Sequence, residues 1–114
     1  MSQVVDDIVR RLAAAAADDV GIAGAVLKFD GGEDGVVRID ATAKPVKITS
    51  VDGPADCTIK MAAPALRQIV TGELTCGGGY MRFVRGVEGR QALGVLIQPF
   101  FRRVAEAAGG QAGR

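Results

Sequence analysis

Three short runs of this chain alternate between apolar and polar residues, and that alternation limits the fold more than any other feature. They are "AVLKFD" (Ala25 to Asp30), "VVRID" (Val36 to Asp40) and "VKIT" (Val46 to Thr49). A period of two sends Leu27 and Phe29 to one side and Lys28 and Asp30 to the other. Val37 and Ile39 separate from Arg38 and Asp40 in the same way. "GGEDG" (Gly31 to Gly35) joins the first two runs as a hairpin turn, because glycine reaches positive φ without strain. The three runs therefore predict an antiparallel meander with one dry face, which something else in the chain must cover.

The cover is legible at helical spacing. Val4, Val5, Ile8, Val9, Leu12 and Ala16 mark an amphipathic helix over roughly residues 3 to 17, with Asp6, Asp7, Arg10 and Arg11 between them. Gly21 and Gly24 break it. Asp52-Gly53-Pro54 is turn chemistry leading into a fourth strand, with Cys57, Ile59 and Met61 on one side and Thr58 and Lys60 on the other. "APALRQIVTG" (Ala63 to Gly72) is a second helix with Leu66, Ile69 and Val70 on one face, Pro64 in its first turn and Gly72 at its end. Phe83 to Glu88 is a fifth strand.

A final helix is expected over about Arg90 to Ala107, apolar almost all round through "ALGVLIQPFF". Leu93, Leu96, Ile97, Phe100 and Val104 form one stripe, with Val95 and Phe101 off it. Pro99 removes a backbone donor and should kink or restart the helix. A cavity for an apolar ligand, or a subunit interface, would each use the surplus apolar surface. The 114 residues suit one domain. It is expected over residues 1 to 108, with a disordered tail at 109 to 114. The class is α+β, with helices on one face of a mostly antiparallel five-stranded sheet.

Composition narrows the chemistry. The chain has no histidine, which removes the usual general base, the commonest metal ligand and every Ser–His or Cys–His nucleophile. A net charge of +1 and five aromatic residues argue against nucleic acid as a partner. Cys57 and Cys76 are too few for a disulfide framework or a zinc site. Cys57 reads as a small core residue and Cys76 as an incidental loop thiol. "MSQVVDD" is acidic where a signal peptide is basic, and "LAAAAA" (Leu12 to Ala17) is too short to span a membrane, so a reducing cytoplasm is expected.

The glycine run of "GELTCGGGYM" (Gly72 to Met81) follows a helix and lacks a Lys-Ser or Lys-Thr after it, so it is not a phosphate loop. Asp6, Asp7, Asp18, Asp19, Glu33 and Asp34 lack calcium-loop spacing and read as turn and solvated-face residues. Arg82, Arg85, Arg90, Arg102 and Arg103 read as a solvated rim, with transient contact to an anionic membrane surface as the alternative.

Several stretches together resemble the sterol carrier protein 2 lipid-transfer family. They are "VLKFD…GVVRID", "DGPADCTIKM", "LRQIVTGEL", "YM" followed six residues later by "VEG", and "LIQPF", in order across about residues 20 to 103. The resemblance is to a small stand-alone bacterial-type member. It implies a five-stranded sheet and helices enclosing an apolar tunnel, and non-catalytic binding or transfer of a sterol, fatty acyl chain, acyl-CoA or isoprenoid lipid. It implies no cofactor and no metal. Carried over, Leu93, Leu96, Ile97 and Phe100 would line the tunnel from the last helix, with Gln98 a polar group beside it. Leu66, Ile69, Val70, Tyr80 and Met81 would line the other side. Phe83 stands where the family has glycine, so its ring would narrow or fill the tunnel. "TCGGG" replaces the family's Asn-Pro start, and a loose loop at 75 to 79 is expected as the ligand's entrance.

Two other classes stay open. One is a dimerising interaction module using the last helix. The other is an auxiliary that holds a hydrophobic intermediate for a partner enzyme, or converts it with Tyr80, Cys76, Glu73 and Glu88 as the nearby acid–base groups.

Overall fold

A computed structural model describes residues 3–15, 20–22, 24–73 and 82–107. In chain order the elements are α1 (Gln3–Ala15), β1 (Val26–Asp30), β2 (Val36–Asp40), β3 (Lys47–Thr49), β4 (Cys57–Lys60), α2 (Ala63–Thr71), β5 (Gly86–Gly89), α3 (Ala92–Leu96) and α4 (Gln98–Ala107). The sheet order is β3-β2-β1-β4-β5. β1 lies at its centre, antiparallel to β2 and parallel to β4, while β2–β3 and β4–β5 are antiparallel. The meander and the mostly antiparallel sheet stand as the alternation predicted.

The register explains the dry face. Ile48, Ile39, Leu27 and Cys57 align across four strands in one row, and Val37, Phe29, Ile59 and Val87 in the next. All are buried except Val87, which is half-buried at the edge. A one-residue slip in any strand would turn its share of both rows to water.

The outer face places Lys28 opposite Arg38, an unfavourable like-charge pair. The β3–β4 connection relieves it as it crosses that face. Asp52 accepts a hydrogen bond from Lys28 Nζ at 2.8 Å, and the Pro54 carbonyl accepts one from Arg38 Nε at 2.9 Å.

The helices cover the inner face. α1 packs on α2, α4, β2 and β3, and α2 packs on α4. Val5, Ile8 and Leu12 of α1 are buried at the expected spacing. The last helical segment breaks at Ile97, and α4 restarts with Pro99 in its first turn, where its missing N–H costs nothing. The observed burial corrects the expected stripe without changing its helical period, which runs on through Ile97. α4 buries Phe100, Phe101, Val104 and Ala105, so Phe101 lies inside, its ring 5.4 Å from that of Phe29. Leu96, one residue before the break, is 48% exposed.

Asp7 is a second correction. It was read as a solvated-face residue, yet it is the one buried charged residue among those described, only 8% exposed. Its Oδ1 accepts from Arg10 Nη2, and its Oδ2 accepts from Arg11 Nε at 2.9 Å and Arg67 Nε at 3.0 Å. The first two bonds staple α1 to itself, and the third ties α1 to α2. Burial alone would raise the carboxyl's pKa. The hydrogen bond from Arg11 and the charges of Arg11, Arg10 and Arg67 outweigh burial and hold it below the usual value.

A carboxylate with a depressed folded pKa stabilises the fold above its unfolded pKa, and that contribution is lost as pH falls through the folded one. Asp7→Asn is expected to lower stability by about 1–3 kcal/mol at neutral pH in urea titrations. The gap from the wild-type chain should shrink below about pH 4, where aspartate begins to protonate. An equal gap at pH 3 and pH 7 would show that charge is not its source.

Candidate functional site

The candidate site is the apolar layer between the sheet and the helices. From the sheet come Leu27, Phe29, Ile39, Cys57 and Ile59. Opposite them, α2 contributes Leu66, Ile69 and Val70, each at most 1% exposed. Successive turns of α2 present these residues, at i, i+3 and i+4, on a helix with Pro64 in its first turn and Gly72 ending it in the left-handed conformation. α3 contributes Leu93, the break contributes Ile97, and α4 contributes Phe100, Phe101 and Val104. Of the residues singled out from sequence, the structure brings together Leu66, Ile69, Val70, Leu93, Ile97 and Phe100. All six belong to one buried cluster.

The others lie elsewhere. Leu96 is on the surface, and Phe83 is 41% exposed just before β5, so its ring does not lie inside the buried cluster. Gln98 is half-buried at the start of α4, and its amide donates to the Gly94 carbonyl at 3.5 Å. Tyr80, Met81, Cys76, the expected entrance loop and the tail at 109 to 114 lie outside the described residues.

The chemistry of this layer is plain. Apart from Asp7 at the α1–α2 seam, every buried residue singled out in it is hydrophobic. Burial pushes the Cys57 thiol up, away from the reactive thiolate. Glu88 faces solvent, where its carboxylate pairs with Lys60 Nζ at 3.1 Å. Glu73 is exposed at the end of α2, near Thr71. Neither glutamate enters the apolar layer. Among the described residues no group of three or more His, Cys, Asp or Glu could hold a metal ion. No described helix is long and apolar enough to cross a membrane.

Two features sit at opposite ends of β4 and β5. At one end an open hollow of about 210 Å³ is lined by Asp30, Gly32, Lys60, Met61 and Arg85. Met61 also belongs to the buried cluster, so the hollow borders that cluster at this one residue. At the other end α3 leaves the sheet beside Gly21. A Cβ on that glycine would lie 2.4 Å from the Leu96 carbonyl oxygen, and its φ of +91° suits glycine alone. Val95 and Leu96 are exposed at that end, whereas Phe83 lies near the first, so these apolar residues do not make one patch.

No family model and no curated protein matches the sequence. Solved structures do match. The sterol carrier protein 2 of Aedes aegypti, in complex with palmitate, is 24% identical over 89% of this chain and 96% of its own, with a TM-score of 0.58. The apo sterol carrier protein 2 of Yarrowia lipolytica is 15% identical over 90% of this chain and 87% of its own, with a TM-score of 0.56. The sterol carrier protein domain 2 of Helicoverpa armigera is 14% identical over 89% of this chain and 76% of its own, with a TM-score of 0.52. The chain has the sterol carrier protein 2 fold.

The two sides of the last segment should separate cleanly by mutation. Phe101→Ala is expected to cost about 3–5 kcal/mol, as for a truncated core aromatic. Leu96→Ala should stay within about 0.5 kcal/mol, as for a surface position. Equal losses in chemical denaturation would contradict the burial of Phe101 and the exposure of Leu96. In peptide mass mapping, alkylation of Cys57 should wait for unfolding; rapid labelling under native conditions would contradict its burial.

Proposed function

We propose that this protein is a non-catalytic carrier of a hydrophobic ligand, such as a sterol, fatty acyl chain, acyl-CoA or isoprenoid lipid, in the cytoplasm. The observation that carries this reading is the continuous apolar layer, to which the sheet and all four described helices contribute and which, among the described residues, holds no buried charged group away from the α1–α2 seam. The fold shared with a palmitate-bound sterol carrier protein 2 supports it. Binding would draw on area. Each methylene removed from water contributes about 0.8 kcal/mol, so a long chain needs few polar contacts.

On this reading Leu66, Ile69, Val70, Leu93, Ile97 and Phe100 part to form the tunnel wall, with Tyr80 and Met81 beside it. Leu96, Phe83 and Gln98 would contact the ligand only at the margins. The hollow at Met61 would admit the chain, with Lys60 and Arg85 at its rim. Exposed Arg82, Arg85, Arg90 and Arg102 would support transient contact with an anionic membrane during loading. A partner enzyme that consumes the ligand is compatible with the same site.

Exposure of Val95 (64%) and Leu96 (48%) on α3 favours a second reading, a dimerising module. Sedimentation and native mass spectrometry separate the two. The carrier should retain an organic-extractable lipid and gain thermal stability with palmitate. Ile97→Trp should reduce that binding at least tenfold, while Leu96→Trp should leave it unchanged. A lipid-free dimer dispersed by Val95→Glu, with no response to palmitate, would replace the carrier reading with the module.

A further inference from the structure

A second hollow, of about 460 Å³, opens between α1 and α2, away from the apolar layer. Gln3, Val4, Asp6, Asp7, Arg10 and Arg67 line it. Its size lies within the range of small-molecule sites. We propose that this hollow binds a phosphate group through the guanidinium groups of Arg10 and Arg67. The assignment does not depend on the carrier reading.

The argument begins with unequal charge around Asp7. Three guanidiniums meet this single carboxylate, and both of its oxygens are occupied. Each guanidinium carries five N–H donors in a planar fork. Arg10 reaches Asp7 through one terminal nitrogen, Nη2, and Arg67 through Nε. Neither makes another side-chain hydrogen bond or ion pair among the described residues, so Arg67 keeps both terminal nitrogens available. Their side chains are 72% and 49% exposed, and both line the hollow. Asp6 lines it too and lies within ion-pair distance of no cation among the described residues. The lining itself is balanced, Arg10 and Arg67 against Asp6 and Asp7, and Arg11 beside Asp7 adds the one excess positive charge.

The arrangement suits a tetrahedral anion. Arg10 comes from α1 and Arg67 from α2, so the two guanidiniums reach the hollow from different elements. A planar carboxylate is fully served by one fork, whereas a phosphate offers oxygens to both. Asp7 fixes the two stems and is therefore a positioning residue. Asp6 opposes the incoming anion and limits affinity.

The same chemistry is found in free phosphate and in a phosphatidate head group, and one experiment separates them. The full-length protein is titrated with inorganic phosphate at constant ionic strength, with backbone amides followed by NMR. In parallel it is mixed with phosphatidylcholine vesicles with and without phosphatidic acid. Saturable shifts at Val4, Asp7, Arg10 and Arg67 with inorganic phosphate would establish a site for a free phosphate group. Binding confined to the phosphatidate vesicles, and lost with the arginines, would establish a head-group site.

In either case Arg10→Gln and Arg67→Gln should each weaken binding about tenfold, the effect of losing one charge-assisted contact. Asp6→Asn should strengthen it. Should Arg67→Gln unfold the chain, Arg10→Gln still provides the test, because its side chain is largely in water. Binding unchanged in Arg10→Gln, or no saturable response to either probe, would overturn the proposal.

Discussion

The structure depends on the central strand β1 and the two residues it turns inward. Leu27 and Phe29 sit in the middle of both rows of inward side chains, with β2 on one side and β4 on the other. Phe29 also carries the contact between layers, its ring against Phe101, which in turn lies 6.2 Å from Phe100. Sheet and last helix thus share one aromatic junction. Pairing β1 with both neighbours requires the chain to cross the outer face after β3, and the bonds from Lys28 and Arg38 to that crossing hold it there.

Stability and candidate function draw on the same layer. Carrying a ligand would mean replacing contacts among side chains that are now packed on each other, so ligand and self-packing compete for one surface. The Asp7 cluster stands apart from that competition. It holds α1 to α2 through hydrogen-bonded charges at the seam, and contributes without occupying the space a chain would need. The molecule therefore combines an apolar middle with a directional polar clasp at one side.

Much of this was readable from periodicity. Alternation found β1 and β2 to the residue or nearly so, and helical spacing with Pro64 and Gly72 found α2. Six of the expected lining residues came together because each sits on a face whose period is fixed by local backbone geometry. The misses have a common origin. Leu96 and Phe101 exchange places because the buried arc of Leu93, Ile97, Phe100, Phe101 and Val104, which keeps one helical period through Ile97, is centred nearer Ile97 and Phe101 and leaves Leu96 beyond its edge. Asp7 falls on the polar side of the helical pattern, although Arg10 and Arg11 three and four positions on signal ion pairing. Arg67 carried no such signal, being sixty positions away.

By itself, then, the sequence determined the first four strands, α1 and α2, their dry faces and the lack of histidine chemistry, since these follow from residue type and spacing over a few positions. The fifth strand, by contrast, lies at Gly86–Gly89 instead of the expected 83 to 88, and the last helix is two segments. Tertiary structure alone decided the parallel pairing of β1 with β4, the third arginine on Asp7 and the contact of Phe101 with Phe29. Each of these joins groups distant along the chain, where no local period links one partner to the other.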